Sequence, residues 1–415
     1  MRHKVGDSLN VLFLTLADME NIKERGIYTD FVRELASKGI NCYVVSPREK
    51  RTNLPTELTK TDNINLLKVK TGNITKTSFL EKGLSTLSIE RYYLQAINKY
   101  FTDIRFDMVI YSTPPITFEK VSNYFKKKHK SKTYLMLKDI FPQNAVDIEI
   151  IKKGSLLWRY FRNKEKKLYR NSDFIGCMSK GNMDYLLKHN SYLNKERVEI
   201  FPNAIKPVAR RKERNKNSKL LEKYNLPEES SIFVYGGNLG KPQGIDFLIT
   251  VINQFHEVDK GYLLIVGSGT EYQRIKSHIE NVKPNNVCLL NKLPKSEYDQ
   301  LLESADVGLI FLDKRFAIPN IPSRLTAYME YSLPILAATD KNTDLKDILK
   351  ESGSGFWVES GEINSFIDYA RHLSLDKELR FQMGIKGREY LEENYDIRKT
   401  VNIILKHLYG DEDDV

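Results

Sequence analysis

The 415-residue chain has only three cysteines, Cys42, Cys177 and Cys288, scattered and odd in number. That pattern excludes a disulfide framework and a structural zinc site, and points to reduced, buried thiols in a cytosolic protein. Long apolar runs are missing too. Stretches such as residues 11–17 fall far short of the roughly 18 residues that a membrane span needs. The basic start carries a short apolar run ended by Asp18, so it reads as a first strand rather than a signal peptide. The acidic tail GDEDDV reads as frayed and solvated. Elsewhere there is no D-x-D triplet and no His/Asp cluster at metal-ligand spacing. Short-period repeats and low-complexity tracts are absent as well.

What is present is charge, unevenly shared. Residues 1–205 hold 36 Lys and Arg against 22 Asp and Glu, or +14, and the remainder carries −3 of the net +11. A basic domain joined to a mildly acidic one fits an anionic surface or acceptor facing the first domain alone. Nucleic-acid binding has charge in its favour and no recognisable reading module. The length suits two domains of about 200 residues each.

Strand and helix patterns alternate along the chain. Residues 10–16 read as a strand, 17–27 as a polar loop holding Gly26, 28–38 as an amphipathic helix stopped by Gly39, and 41–46 as the next strand. This βαβ opening predicts a doubly wound domain whose ligand edge lies at the strand C-termini, where Gly26 falls. Further strands are expected at 107–111, 134–137, 173–177 and 198–201. The segment KPVARRKERNKNS, residues 206–218, is basic, lacks an apolar stripe and reads as a linker. The organisation predicted is a first domain over 1–205, that linker, a second domain over 219–395, and a C-terminal helix with its tail over 396–415.

The second domain opens on SIFVYGGNLGKPQGIDFLI, residues 231–249, which reads as strand, glycine loop and helix. Such a turn aims free backbone N–H groups at an anion, its glycines let a phosphate approach, and Lys241 adds a cation. Glycine serving turn geometry alone explains the loop equally well. Gly267-Ser268-Gly269 lacks the third glycine of a dinucleotide fingerprint. Ser296 is placed to cap a helix over 296–304, and Pro322-Ser323-Arg324 to start another over 325–331.

Residues 151–170, IKKGSLLWRYFRNKEKKLYR, set leucine and aromatic side chains among eight Lys or Arg. Such a helix can lie in a membrane interface, each cation near an anionic surface contributing about 1 kcal/mol. Alternatively it packs on a core with its cations snorkelling outward. Trp158 and Phe161 are the residues expected to face a membrane.

In order, the chain carries DMVIYSTPP, LKDIFPQNAVD, LYRNSDFIGCMSKGNMDYL, IFPNAI, VYGGNLGKPQGIDFLI, LLIVGSGTEYQRIK, SADVGLIFL and IPSRLTAYMEYSLPILA. Together these resemble the retaining GT-B glycosyltransferases of the bacterial capsule and O-antigen branch. YxGNLGxxQG with PSRL is similar to transferases of N-acetyl-fucosamine-type sugars. The resemblance implies an α/β fold of two doubly wound Rossmann-like domains facing a cleft, with the C-terminal helix crossing back to the first. It implies retaining transfer of a sugar, N-acetylated and from a UDP donor, onto a polyprenyl-diphosphate-linked saccharide. The nucleotide sugar is then a substrate, no further cofactor is required, and the missing D-x-D favours a metal-independent reaction. With the basic first domain, this places the protein on the inner face of the cell membrane.

Residue by residue, the resemblance puts Gly237, Asn238 and Gly240 on the diphosphate, together with Ser323 and Arg324. Backbone groups from Asn291 to Leu293 would read the base, and Gly26 would close on the diphosphate or sugar. Asp139 would sit on the acceptor side, as a general base or as the residue structuring the turn before Pro142. Two departures stand out. Many relatives carry two glutamates where this chain has Pro319 and Ala327, leaving Glu330, nearly one turn on, as the candidate for a ribose. Many also carry Arg and Lys at the positions of Asn238 and Gln243, so Lys241, Arg315 and Arg324 are expected to supply the leaving-group charge. A nucleotide-sugar 2-epimerase and an inactive partner subunit of the same fold are the rival readings.

Overall fold

A computed structural model describes residues 9–73, 79–210 and 216–410. The acidic tail from residue 411 and linker positions 211–215 lie outside them. The chain divides into two compact units: the chain up to Lys206 together with the segment from Asp396, and Pro207–Tyr395.

Among its described residues the first unit holds eight strands: β1 (Asn10–Leu14), β2 (Asn41–Glu49), β3 (Glu57–Thr61), β4 (Ile64–Thr71), β5 (Met108–Ser112), β6 (Lys132–Leu137), β7 (Phe174–Cys177) and β8 (Val198–Ile200). They form one sheet in the order β3-β4-β2-β1-β5-β6-β7-β8. Every pairing is parallel except β3 on β4. Alternate side chains of a strand face opposite sides. Val11 and Phe13 of β1 join a core with Phe31, Val32 and Leu35 of the helix Ile27–Ser37 and Ile397, Val401 and Ile404 of the helix Ile397–Tyr409. The C-terminal helix therefore returns to the first unit, and Ile397 N donates to Ile205 O at 2.9 Å. His407 stacks on Phe174 with centroids 3.7 Å apart and contacts Glu199 Oε1 through Nε2 at 2.7 Å.

Among its described residues the second unit holds a six-stranded, wholly parallel sheet, in the order β11-β10-β9-β12-β13-β14. Its strands are β9 (Ser231–Asn238), β10 (Gly261–Ser268), β11 (Val287–Asn291), β12 (Val307–Phe311), β13 (Ile335–Thr339) and β14 (Gly355–Glu359). β12 and β13 are buried throughout, as strands covered on both faces must be. Both sheets are α/β and doubly wound. In each, the chain leaves a first strand in one direction and returns to its other side, at β1/β5 and at β9/β12. The loops following those strand pairs are where ligands of such sheets bind.

The hairpin β3–β4 and the strand β14 were not read from the sequence. Asp62 sits at φ 49° in the tight turn joining β3 to β4, a conformation that Asp tolerates. The helix expected over 296–304 runs Lys295–Ser304, with Pro294 in the cap position. Ser296 is therefore in the first turn and caps nothing. The start of the expected linker is bound to the second unit: Val208 N donates to Glu330 Oε1 at 2.9 Å, and Arg210 Nε donates to Glu392 Oε1 at 2.9 Å.

Candidate functional site

In the second unit three strand ends lie side by side at the C-terminal edge. Gly237 of β9 is in register with Gly267 of β10, which is in register with Asn291 of β11. Beyond Gly237 the chain leaves the sheet through Gly240 and a 3-10 turn, Lys241–Gln243, into the helix Ile245–Gln254. The loop is tied down at several points. Leu239 N donates to Ser268 O at 2.9 Å, and Asp313 N, following β12, donates to Pro242 O at 3.0 Å. Asn238 Nδ2 and Gly240 N both donate to Gln243 Oε1, at 2.7 and 3.2 Å. Lys241 is exposed.

Gly237 has φ 134°, and a Cβ there would stand 3.2 Å from Nη2 of Arg324. Arg324 begins a seven-residue helix, Arg324–Glu330. Its guanidinium carbon lies 4.3 Å from the centroid of the Tyr235 ring, and its Nη1 is buried with no hydrogen-bond partner among the described residues. Tyr235 in turn donates its hydroxyl to Asn238 O at 2.8 Å. Tyr328 lies beneath the same strand end, accepting from Gly236 N at 3.2 Å and reaching Val234 O and Leu309 O at 3.1 Å each. A Cβ on Gly236 would fall 1.7 Å from the Tyr298 hydroxyl. Burial pushes Tyr328 up to about 12 and Tyr298 well above the ordinary phenol range, so both stay neutral at pH 7.

The other donor-side candidates are placed differently. Ser323 is exposed, takes helical angles (φ −61°, ψ −19°) and makes no side-chain cap bond. Asn291 is exposed at the end of β11 and Leu293 half-buried beyond it. Arg315, expected as leaving-group charge, is held in a fork by Asp313, with Nε to Oδ1 at 2.9 Å and Nη2 to Oδ2 at 2.7 Å. Its charge is already matched. Glu330, expected on a ribose, is buried and accepts from Val208 N, while Arg388 Nη1 donates to its backbone oxygen at 2.7 Å. Its carboxylate fastens the chain entering this unit. The helix Arg324–Glu330 turns that face inward because Leu325, Tyr328 and Met329 are core residues.

In the first unit the candidates gather near the β1/β5 edge. Gly26 stands at the start of the helix Ile27–Ser37, its N–H donating to Asp30 Oδ1 at 3.3 Å, with ordinary extended φ 172°. Asp139 follows β6 and is fastened to the loop after β5. Lys138 N and Asp139 N each donate to Thr113 Oγ1 at 3.0 Å, and that hydroxyl donates to Asp139 O at 3.0 Å. Asn144 Nδ2 donates to Asp139 Oδ1 at 2.6 Å. Burial raises the carboxyl to about 6, with Asn144 and the Ile140 N–H pulling the other way. Beside it, burial lowers the Lys138 ammonium to about 7, and its Nζ donates to Phe201 O and Pro202 O at 3.2 and 3.3 Å.

The basic helix spans Leu156–Asn171, capped by Ser155 Oγ, which accepts from Trp158 N at 3.2 Å. Phe161 packs edge-on against Phe141 with centroids 4.9 Å apart, and Trp158 is half-buried. The exposed apolar side chains are instead Leu156 (84%), Leu157 (44%) and Tyr160 (43%), with Ile150 (51%) just before them. No described helix is long and apolar enough to cross a membrane. No group of three or more His, Cys, Asp or Glu among the described residues is placed to hold a metal ion.

Residues 216–390 match the family described as Glycosyl transferases group 1. That match covers most of the second unit, Pro207–Tyr395. Over 331 residues the chain is 24% identical to the probable glycosyltransferase WbjE of Pseudomonas aeruginosa, covering 77% of this chain and 78% of that protein. The fold is that of sucrose-phosphate synthase from Thermosynechococcus elongatus, with TM-score 0.75, 15% identity, and 97% and 100% of the two chains covered. It is also that of HepE from Anabaena in complex with UDP and glucose, with TM-score 0.69, 13% identity, and 96% and 99% covered. The chain thus has the GT-B architecture of two Rossmann-like domains. Sequence alone assigns no ligand-side role to Tyr235, Tyr298 or Tyr328. Tyr235 adjoins the glycine loop and Tyr328 lies in the Arg324 helix, whereas Tyr298, in the helix Lys295–Ser304, has no motif beside it.

Proposed function

We propose that this glycosyltransferase moves a sugar, an N-acetylated amino sugar, from a UDP-linked donor held by the second unit to a hydroxyl of a polyprenyl-diphosphate-linked saccharide, in capsule or O-antigen synthesis. The observation that carries the donor side is Arg324: a cation with a buried, unpartnered Nη1 beside Gly237, within the stretch that matches Glycosyl transferases group 1. The same fold in HepE binds UDP and glucose, which supports a uridine nucleotide here.

In the reaction the bond from the anomeric carbon to the diphosphate oxygen breaks and a bond to the acceptor oxygen forms. The departing diphosphate gathers negative charge, which Arg324, Lys241 and the N–H groups of the Gly237–Gly240 loop are suited to stabilise without a metal ion. The acceptor proton passes to a phosphate oxygen of the leaving group, with retention at the anomeric carbon. Asp139, raised to about 6, is the alternative base.

The first unit, in this reading, rests on the anionic inner face of the cell membrane. Leu156, Leu157, Tyr160 and Ile150 would enter the interface, and exposed Lys152, Lys153, Arg159 and Lys167 would meet the headgroups. Charge complementarity supports the anionic bilayer as the partner.

Donor hydrolysis tests the assignment. An active transferase given UDP-N-acetylhexosamine alone releases UDP slowly, and Arg324→Ala lowers that release by about 10²–10³. Release that Arg324→Ala leaves unchanged contradicts the assignment, and no release by wild type favours an inactive subunit.

A further inference from the structure

We infer that Tyr235 is a positioning residue that joins Arg324 and the glycine loop into one pre-formed site for a diphosphate. For the nucleotide this deepens the donor reading above and rests on it; for the anion it stands on geometry alone.

Arg324 is unusual in what it lacks. Buried cations are ordinarily paired with carboxylates, because an unpaired charge loses its hydration with nothing in return. Here the groups acting on the guanidinium are Tyr235, Tyr328 and Tyr298, all phenols. Of these, Tyr235 alone touches both halves of the site. Its ring face lies 4.3 Å from the guanidinium carbon, and its hydroxyl holds Asn238 O at 2.8 Å. Gly237, between them in the chain, has no Cβ to come between Nη2 and the loop.

A ring restrains the guanidinium without neutralising it. A carboxylate in the same place would cancel the charge and repel an incoming diphosphate, as Asp313 cancels Arg315 nearby. The electron-rich face offsets part of the desolvation, and the buried Nη1 keeps a donor free for the ligand. Loop and cation are thereby fixed before the ligand arrives, which spares the ordering cost of assembling them on binding.

The test is calorimetry on the full chain with inorganic pyrophosphate, UDP and uridine, for wild type, Tyr235→Phe and Tyr235→Leu. Wild type is expected to bind pyrophosphate. Tyr235→Phe keeps the ring and loses one hydrogen bond, weakening pyrophosphate by no more than about fivefold. Tyr235→Leu loses the ring face and weakens pyrophosphate and UDP by about 30-fold. Uridine binding, within about twofold of wild type in both variants, shows that the unit is still folded. Three results overturn the inference: wild type that ignores pyrophosphate, Tyr235→Leu that binds it normally, or a Leu variant that loses uridine and pyrophosphate in equal proportion. Pyrophosphate binding that depends on Tyr235, without added affinity for UDP, upholds the inference and removes the nucleotide reading instead.

Discussion

Asn144 donates a 2.6 Å hydrogen bond to Asp139, the carboxyl that burial raises to about 6. The bond favours the charged form and so opposes the burial. If Asp139 is the base, sugar transfer rises with pH through about 6, and Asp139→Asn flattens that limb. Asn144→Leu removes the opposing bond and moves the limb upward by up to about 1 pH unit. A pH–rate series on the three proteins checks both.

Stability gives the same carboxyl a second readout. The folded protein keeps the Asp139 proton over a range where the unfolded chain has released it. Its contribution is therefore most favourable in acid and is lost as pH rises from the ordinary carboxylate range through about 6. Relative to wild type, Asp139→Asn should gain on the order of 1 kcal/mol at about pH 7.5 and nothing at about pH 3.5, by urea midpoint.

Glu392 has the opposite sign. Hydrogen bonds from Arg210, and then from Arg388, hold its carboxyl at about 2 against the effect of burial. Its stabilisation is present above the ordinary glutamate range and is lost as pH falls toward about 2. Because the group is partly exposed, Glu392→Gln should cost roughly 1 kcal/mol at neutral pH and nothing near pH 2. Proteolysis next to Arg210 should become faster in that variant.

Liposome flotation separates the exposed apolar side chains from the packed ones. Leu156→Ser with Leu157→Ser and Tyr160→Ser should abolish binding to phosphatidylglycerol vesicles. The triple variant should keep its uridine-nucleotide affinity. Phe161→Leu, at a side chain packed on Phe141, should bind vesicles as wild type does. Binding unchanged in the triple variant would remove the interfacial role of this helix.

Gly236→Ala should lose nucleotide binding through sterics rather than charge. The added carbon would fall 1.7 Å from the Tyr298 hydroxyl, so β9 or the tyrosine must move. A loss of at least about 2 kcal/mol in thermal stability is expected from such overpacking, read from the melting curve.

The alternation of strands and helices was legible because buried parallel strands are short, β-branched runs bounded by glycine and polar turns. The loop after β9 was legible for the same reason. The hairpin β3–β4 was obscured because ELTKT is almost wholly polar on an edge strand, where one face meets water. The site was legible only in part. Gly237, Asn238, Gly240 and Arg324 come together, as their motifs imply. What sequence spacing could not give was direction. Glu330 and Arg324 share a two-turn helix, yet one reaches Val208 and the other Gly237. By sequence alone Arg315 reads as an available charge, yet Asp313, two residues away, matches it. Tyr235 lies 89 residues from Arg324, and their contact exists only once β9 and that helix are packed together.

Arg324 organises the uridine diphosphate site proposed for the second unit. The most direct test of that site is calorimetric titration of wild type and Arg324→Ala with UDP, GDP and ADP. Wild type should prefer UDP, and Arg324→Ala should weaken it by about 10- to 100-fold, the loss of one charge-assisted contact. Equal indifference of wild type to all three nucleotides, or UDP binding that Arg324→Ala leaves intact, would contradict the assignment.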